Sequence, residues 1–367
     1  MYKSALSLCV IFMVARAGLA AAQQPSAWHA TATTEVTSQS VTFSNGEATL
    51  QGTLYVPRSR RPVPAVVVYH GASEPLAATP LYRHLSEGLP QIGVAVLLFD
   101  RRGAGASTGK PDVAYQTLSD DGVAGADAIR KLPGIDPARV GYWGISQGGW
   151  LATLAASHDP RAAFAIAVSA PLVSPEVQME FAMSNRLHIL GYGRPDIDDM
   201  LAARLKLDGY FQGRNSRADA VAALAGIEKR PWYSQMYLPR PESVAADPAK
   251  SSWRGEMDID SFADVARVRI PILFILGAED PWIPVARTVA RLRELTPTHP
   301  LLQFAVAPRA SHLMMEVAHE QMDDASPDQV AAEAPQSPAY FMLLGSWLEK
   351  TLAAEPAEQA ARRPRGE

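Results

Sequence analysis

The sequence predicts an α/β protein built on a doubly wound, mostly parallel sheet. Three observations carry that expectation. Six short apolar runs recur, rich in β-branched residues and almost without alternation: "PAVVVYHG", "GVAVLLFDRRG", "RVGYWGISQGG", "AAFAIAVSAP", "IPILFILGAED" and "LLQFAVAPRASH". Strands covered on both faces read this way, because neither side of the pleat meets water. Stretches of helical periodicity separate most of these runs, which puts helices on both faces of the sheet. Finally, 367 residues with 47% apolar and 20% charged side chains can bury a large core without disulfides.

Taken in order, the chain opens with Lys3, an apolar stretch from Ala5 to Val14, and the small residues Ala20-Ala21-Ala22. This is the pattern of a secretory signal peptide over residues 1–22, with a mature start at Gln23 and an exported, periplasmic or secreted product. The stretch is too short to span a bilayer, so no integral membrane span is expected after its removal. The single cysteine, Cys9, lies inside it. The mature chain therefore has no disulfide, cysteine nucleophile or thiolate metal site. Residues 23–34 read as a flexible leader. From Glu35, "VTSQSVTF", the turn Asn45-Gly46 and "ATLQGTLYVP" alternate as antiparallel strands do.

The six apolar runs follow, with helices expected at "PLYRHLSEGLPQI", "LSDDGVAGADAIRKL", "VARTVARLREL" and "PAYFMLLGSWLEKTL". Residues 35–171 and 263–352 make up this core. Residues 172–262 break the rhythm: "VQMEFAMSNRLHIL", "IDDMLAARLKLDGYFQ" and "SRADAVAALAGI" are helical in period, and the aromatic piece "RPWYSQMYLPRPESV" follows. They are expected to form a helical cap inserted over the sheet. Residues 353–367 read as a disordered tail.

One short stretch points to chemistry. In "VGYWGISQGG" a strand ends in G-x-S-x-G and a small-residue helix begins. That arrangement holds Ser146 on a strained turn, exposed at the top of the sheet. A serine nucleophile needs a base, a carboxylate to orient the base, and donors for an oxyanion. The base expected is His312, the one histidine in a loop directly after a late strand and downstream of a suitable acid. That acid is Asp280 in "GAEDPWIP", with the adjacent Glu279 as the alternative. The oxyanion donors expected are the backbone N–H of Gln147, at the helix start, and that of Ala72 after "YHG", with Gly71 as the alternative. Within the cap, Met179, Phe181, Met183, Trp232, Tyr233, Met236 and Tyr237 suit an apolar pocket wall, and Trp232 and Tyr233 are the substrate-binding choices. Asp196, Asp198, Asp199 and Glu180 offer acids for a peptide amine, or simply a solvated helix face.

Several classes are disfavoured. The net charge of −4 and the lack of a long basic block argue against nucleic acid as a partner. "FDRRGAGASTG" lacks phosphate-loop spacing, and no H-E-x-x-H occurs, so neither cofactor nor metal is expected.

These motifs, "HGA" at His70, "DRRGAGASTG" at Asp100, "GISQGG" at Gly144, "GAEDPWIP" at Gly277 and "ASH" at Ala310, stand in the order of the α/β-hydrolase superfamily. The chain resembles it from Val41 to Leu352, most closely its exported esterases near the serine-aminopeptidase and dienelactone-hydrolase branches. A dienelactone hydrolase proper usually carries a cysteine where this chain has Ser146. The resemblance implies Ser146 as nucleophile, Asp280 as acid and His312 as base, acting on a small-molecule ester. Peptidase or amidase action, and a non-catalytic binding module on the same fold, are the alternatives. Oligomeric state is open.

Overall fold

The computed structural model describes residues 30–72, 75–111, 114–257, 259–317 and 335–353. The expected signal peptide, most of the leader and residues 354–367 lie outside the described residues, as do His29 and His319. The leader's last residues are pinned rather than free: the amides of Thr33 and Thr34 both donate to Gln91 Oε1, at 2.8 and 2.9 Å.

Eight strands form one sheet in the order β1-β2-β4-β3-β5-β6-β7-β8. β1 (Val36–Asn45) and β2 (Ala48–Pro57) make the predicted antiparallel hairpin, turning at Gly46 with φ 57°. β2 pairs antiparallel with β4 (Ala95–Phe99). The remaining pairings, through β3 (Val63–Tyr69), β5 (Ile135–Ile145), β6 (Ala165–Val168), β7 (Ile272–Gly277) and β8 (Leu302–Ala307), are parallel. Each of the six apolar runs is one of these strands.

The period of two explains why the runs do not alternate. In β3, Val67 and Tyr69 enter one core and Val66 and Val68 the other. On the first face pack α2 (Tyr115–Ile129), α3 (Gln147–His158) and, from the later chain, α8 (Ser261–Arg267) and α9 (Val285–Leu295). On the second lie α1 (Arg83–Gly88) and α10 (Pro338–Ala353). No described helix is long and apolar enough to cross a membrane.

Strand order reverses at β3. The chain goes from β3 out to β4, then crosses back to β5 on the other side of β3. Crevices of α/β sheets open at the carboxyl ends of strands beside such a reversal. Here the register sets Tyr69 opposite Gly144 and Ile145 opposite Val168, so the ends of β3, β5 and β6 are level.

Between β6 and β7 lies an all-helical block: α4 (Pro175–Ile189), α5 (Arg194–Phe211), α6 (Arg217–Ile227) and α7 (Ser252–Glu256). Its own apolar cluster gathers Met183, Leu187, Met200, Leu207, Leu224 and Met257. The first residue of the expected insertion, Leu172, and its last, Phe262, pack with the sheet instead. Ser174 and Ser216 cap α4 and α6 as their sequence positions dictate, each side chain accepting a helix N–H.

Candidate active site

Ser146 sits between β5 and α3 at φ 55°, ψ −123°. Its N–H donates to Val168 O at 2.9 Å and its carbonyl accepts from Gly149 N at 2.9 Å, which fixes the turn from both sides. The flanking glycines are a steric necessity. A Cβ on Gly144 would lie 1.9 Å from Gly148 O, and one on Gly148 would lie 2.2 Å from Tyr69 O and 2.6 Å from His70 O. The half-buried Ser146 therefore stands where the helix axis of α3 begins, at the positive end of its dipole.

Asp280 and His312 meet. His312 Nδ1 lies 2.8 Å from Asp280 Oδ2, and the Asp280 side chain is fully buried. Its other oxygen accepts the amides of Trp282 at 2.8 Å and Ile283 at 3.2 Å. With both oxygens engaged, the carboxylate has one orientation to offer the ring. Glu279, the alternative, is not the residue bonded to Nδ1. Its N–H serves Ala310 O at 3.0 Å, linking the acid loop to the loop of His312. A second tie was invisible in the sequence. Ser169, fully buried at φ 47° just past β6, donates its hydroxyl to the backbone carbonyl of His312 at 2.6 Å. No motif marks it.

The two expected oxyanion candidates in the loop after β3 differ in their surroundings. Gly71 N–H is taken by Tyr82 Oη at 3.0 Å. Ala72, the next residue, is exposed. Gln147 begins α3, so its N–H has no intrahelical acceptor. One guanidinium joins the two pieces: Arg101 donates to Gly71 O at 3.3 Å and to Gln147 Oε1 at 2.8 Å. Gln147 in turn donates to Tyr115 Oη at 2.8 Å. Burial lowers the Arg101 pKa and raises that of Tyr115, in each case as the main cause. The glycine-rich loop after β4 is thus a brace. Asp100 receives the amides of Ala77 and Ala106, both at 2.9 Å, and Arg102 pairs with buried Asp121.

His70 lies beneath this loop, stacked on Tyr82 at 4.6 Å and Phe99 at 5.7 Å. Burial, aided by Arg101, pushes its pKa down to about 3, so it is neutral. His84 is also buried, bonded to Leu81 O and Tyr340 Oη at 2.8 Å each. Both rings belong to the packed interior.

The substrate-binding choices need correction. Trp232 is wholly buried within the helical block, its indole N–H on Asp196 Oδ1 at 2.8 Å, and Tyr233 is buried with its hydroxyl on Pro239 O at 2.7 Å. An aromatic-rich segment must first fill its own core, and these rings do so. Asp196 and Asp199 are held by Arg230, and Asp198 by Arg194. Glu180 is half-buried, and desolvation, with Glu176 and Asp208 nearby, raises its pKa. Among the described residues no group of three His, Cys, Asp or Glu is placed to hold a metal ion.

A family model described as "Serine aminopeptidase, S33" matches residues 60–318. The quorum-quenching protein AidA of Acinetobacter baumannii is 27% identical over 275 residues, 72% of this chain and 86% of that one. Thiohydrolase apmlB of Arthrinium phaeospermum is 32% identical over 121 residues, 32% of this chain and 38% of that one. The chain thus spans about two fifths of the length of that thiohydrolase. A Pyrococcus furiosus esterase superposes with TM-score 0.54 at 15% identity, over 90% of this chain and 99% of that one. At that identity the likeness is one of fold.

Proposed function

The chain belongs to the serine aminopeptidase S33 family of α/β-hydrolases, and from that premise we propose that it is a serine hydrolase of carboxylic esters. The observation that carries the reading is the pair Asp280–His312, bonded at 2.8 Å on the sheet edge that also presents Ser146 at φ 55°. In this reading His312 takes the hydroxyl proton as Ser146 attacks the ester carbonyl. Asp280 holds the ring in the tautomer whose other nitrogen accepts from the serine, and it stabilises the imidazolium. The amides of Gln147 and Ala72 receive the developing oxyanion, each donor lowering the barrier by about 3 kcal/mol. His312 returns the proton to the leaving alcohol, and water activated by the same ring releases the acid from the acyl-serine.

Of the four acids that a peptidase reading would use, Asp196, Asp198 and Asp199 are already paired with arginines, and Glu180 is half-buried with its pKa raised by desolvation. Export by the leading segment is part of the same proposal. The test is Ser146→Ala, assayed with nitrophenyl esters beside aminoacyl nitroanilides, and labelling of the parent by a fluorophosphonate. Loss of ester turnover in the variant, with labelling of the parent at Ser146, is expected. A parent that takes no label and turns over no ester would make the fold a binding module.

A further inference from the structure

One ring of the helical block stands outside its core. Trp232, Tyr233 and Met236 are buried, but Tyr237, the next residue, is 68% exposed and has φ 50°. A side chain other than glycine in that region costs of order 1 kcal/mol or more, and such residues persist where the surroundings fix them, often at ligand clamps. Burial gives little return on this arrangement, since most of the ring is left in water.

The ring has a specific neighbour. Tyr237 meets Trp282 edge-on, centroids 6.0 Å apart at 77°, and the Trp282 ring lies 6.4 Å from that of His312, tilted by 51°. Trp282 itself is held firmly. Its amide donates to Asp280, its carbonyl accepts from Gln178 Nε2 at 2.7 Å, and the carbonyl before it, Pro281 O, accepts from Asn185 Nδ2 at 3.0 Å. Three rings from three parts of the chain therefore run side by side, ending at His312.

We propose that Tyr237 and Trp282 form an aromatic wall for the alcohol portion of the ester, and that the preferred substrates carry a flat apolar or aromatic group there. The side follows from proton transfer, and so rests on the role given to His312 above. The imidazolium delivers its proton to the leaving oxygen, so that oxygen lies against the ring, and whatever it carries lies against the ring's flank. That flank is Trp282, extended by Tyr237. The acyl chain leaves the carbonyl in another direction.

The experiment compares phenyl acetate with ethyl acetate, which share an acyl group and differ only in the alcohol. In Tyr237→Ala the phenyl-to-ethyl ratio of kcat/KM is expected to fall about fivefold, the scale of one aromatic contact. Tyr237→Phe, which keeps the ring, is expected to keep the ratio. Melting temperatures show whether each variant folds. An unchanged ratio in folded Tyr237→Ala overturns the assignment. So does a ratio unchanged between alcohols but shifted between ethyl acetate and ethyl octanoate, which would put the wall on the acyl side. Full ester turnover in Ser146→Ala would remove both this inference and the reading beneath it, whereas a dead Ser146→Ala with an unmoved alcohol ratio removes the inference alone.

Discussion

Gly148→Ala is the substitution whose effect is most directly measurable from the structure. The added Cβ would lie 2.2 Å from Tyr69 O and 2.6 Å from His70 O. Both are backbone atoms at the end of a central strand, so neither can rotate aside. Restoring ordinary contact requires α3 and the end of β3 to part by about 1 Å. That shift is carried directly into Gly71 and Ala72, the next residues of the loop, while Gln147 moves with the helix. Oxyanion donors act at about 2.7 to 3.1 Å, and removing one costs about 10²-fold to 10³-fold in kcat. The expectation is a fall in kcat of about 100-fold for nitrophenyl acetate with a small change in KM. Overpacking costs about 1–3 kcal/mol, and in a chain of this length each kcal/mol lowers the melting temperature by about 1–2 °C. Gly226→Ala is the control. It lies in α6 with nothing within 4 Å of where a Cβ would stand, so it should retain activity and melt no lower than the parent. A Gly148→Ala variant with kcat within about threefold of the parent would refute the close approach as a catalytic constraint, and with it Ala72 as a donor.

Two further outcomes follow from the buried groups. Asp280→Asn should cost about 10⁴-fold in kcat/KM by setting the wrong tautomer on His312, whereas Glu279→Gln, which leaves the bond to Nδ1 in place, should stay within a few-fold; the reverse order would move the acid by one residue. Burial holds both His70 and His84 neutral, with pKa values lowered to about 3 from 6.5. Their contribution to stability is complete above pH 6.5 and is lost as pH falls toward 3, about 2 kcal/mol each by pH 5. Thermal unfolding followed at about pH 7 and pH 5 should show that loss; equal melting temperatures would mean that neither ring is held neutral by the fold.

The sheet was legible because a strand buried on both faces leaves a continuous apolar run, and each such run in this chain became a strand. The elbow was legible for a related reason: backbone crowding at Gly144 and Gly148 leaves no other residue type possible. Asp280 and His312 could be placed because each follows its own strand. What escaped the sequence depends on tertiary partners. Ser169 is a small residue whose role exists only because the His312 loop folds back across β6. Gly71 and Ala72 look alike in the sequence, and only the fold gives the Gly71 amide to Tyr82, from the helical turn beyond. In "RPWYSQMYLPRPESV" apolar rings and chains follow one another without a period, so nothing local told Tyr237, which is outside, from Trp232, which is inside. The ends of the helical insertion were blurred for the same reason, since Leu172 and Phe262 are apolar whichever side they join.

The grip of α4 on the acid loop has a consequence for how this protein could diversify. Many proteins exchange an inserted segment freely, because the scaffold beneath does not notice. Here Gln178 and Asn185 hold the carbonyls of Trp282 and Pro281, directly behind Asp280. Swapping the insertion for a foreign one would release two anchors of the loop that carries Asp280. On the proposed mechanism selectivity and turnover would be inherited together, and a graft that altered the first would need its own pair of amide donors to keep the second.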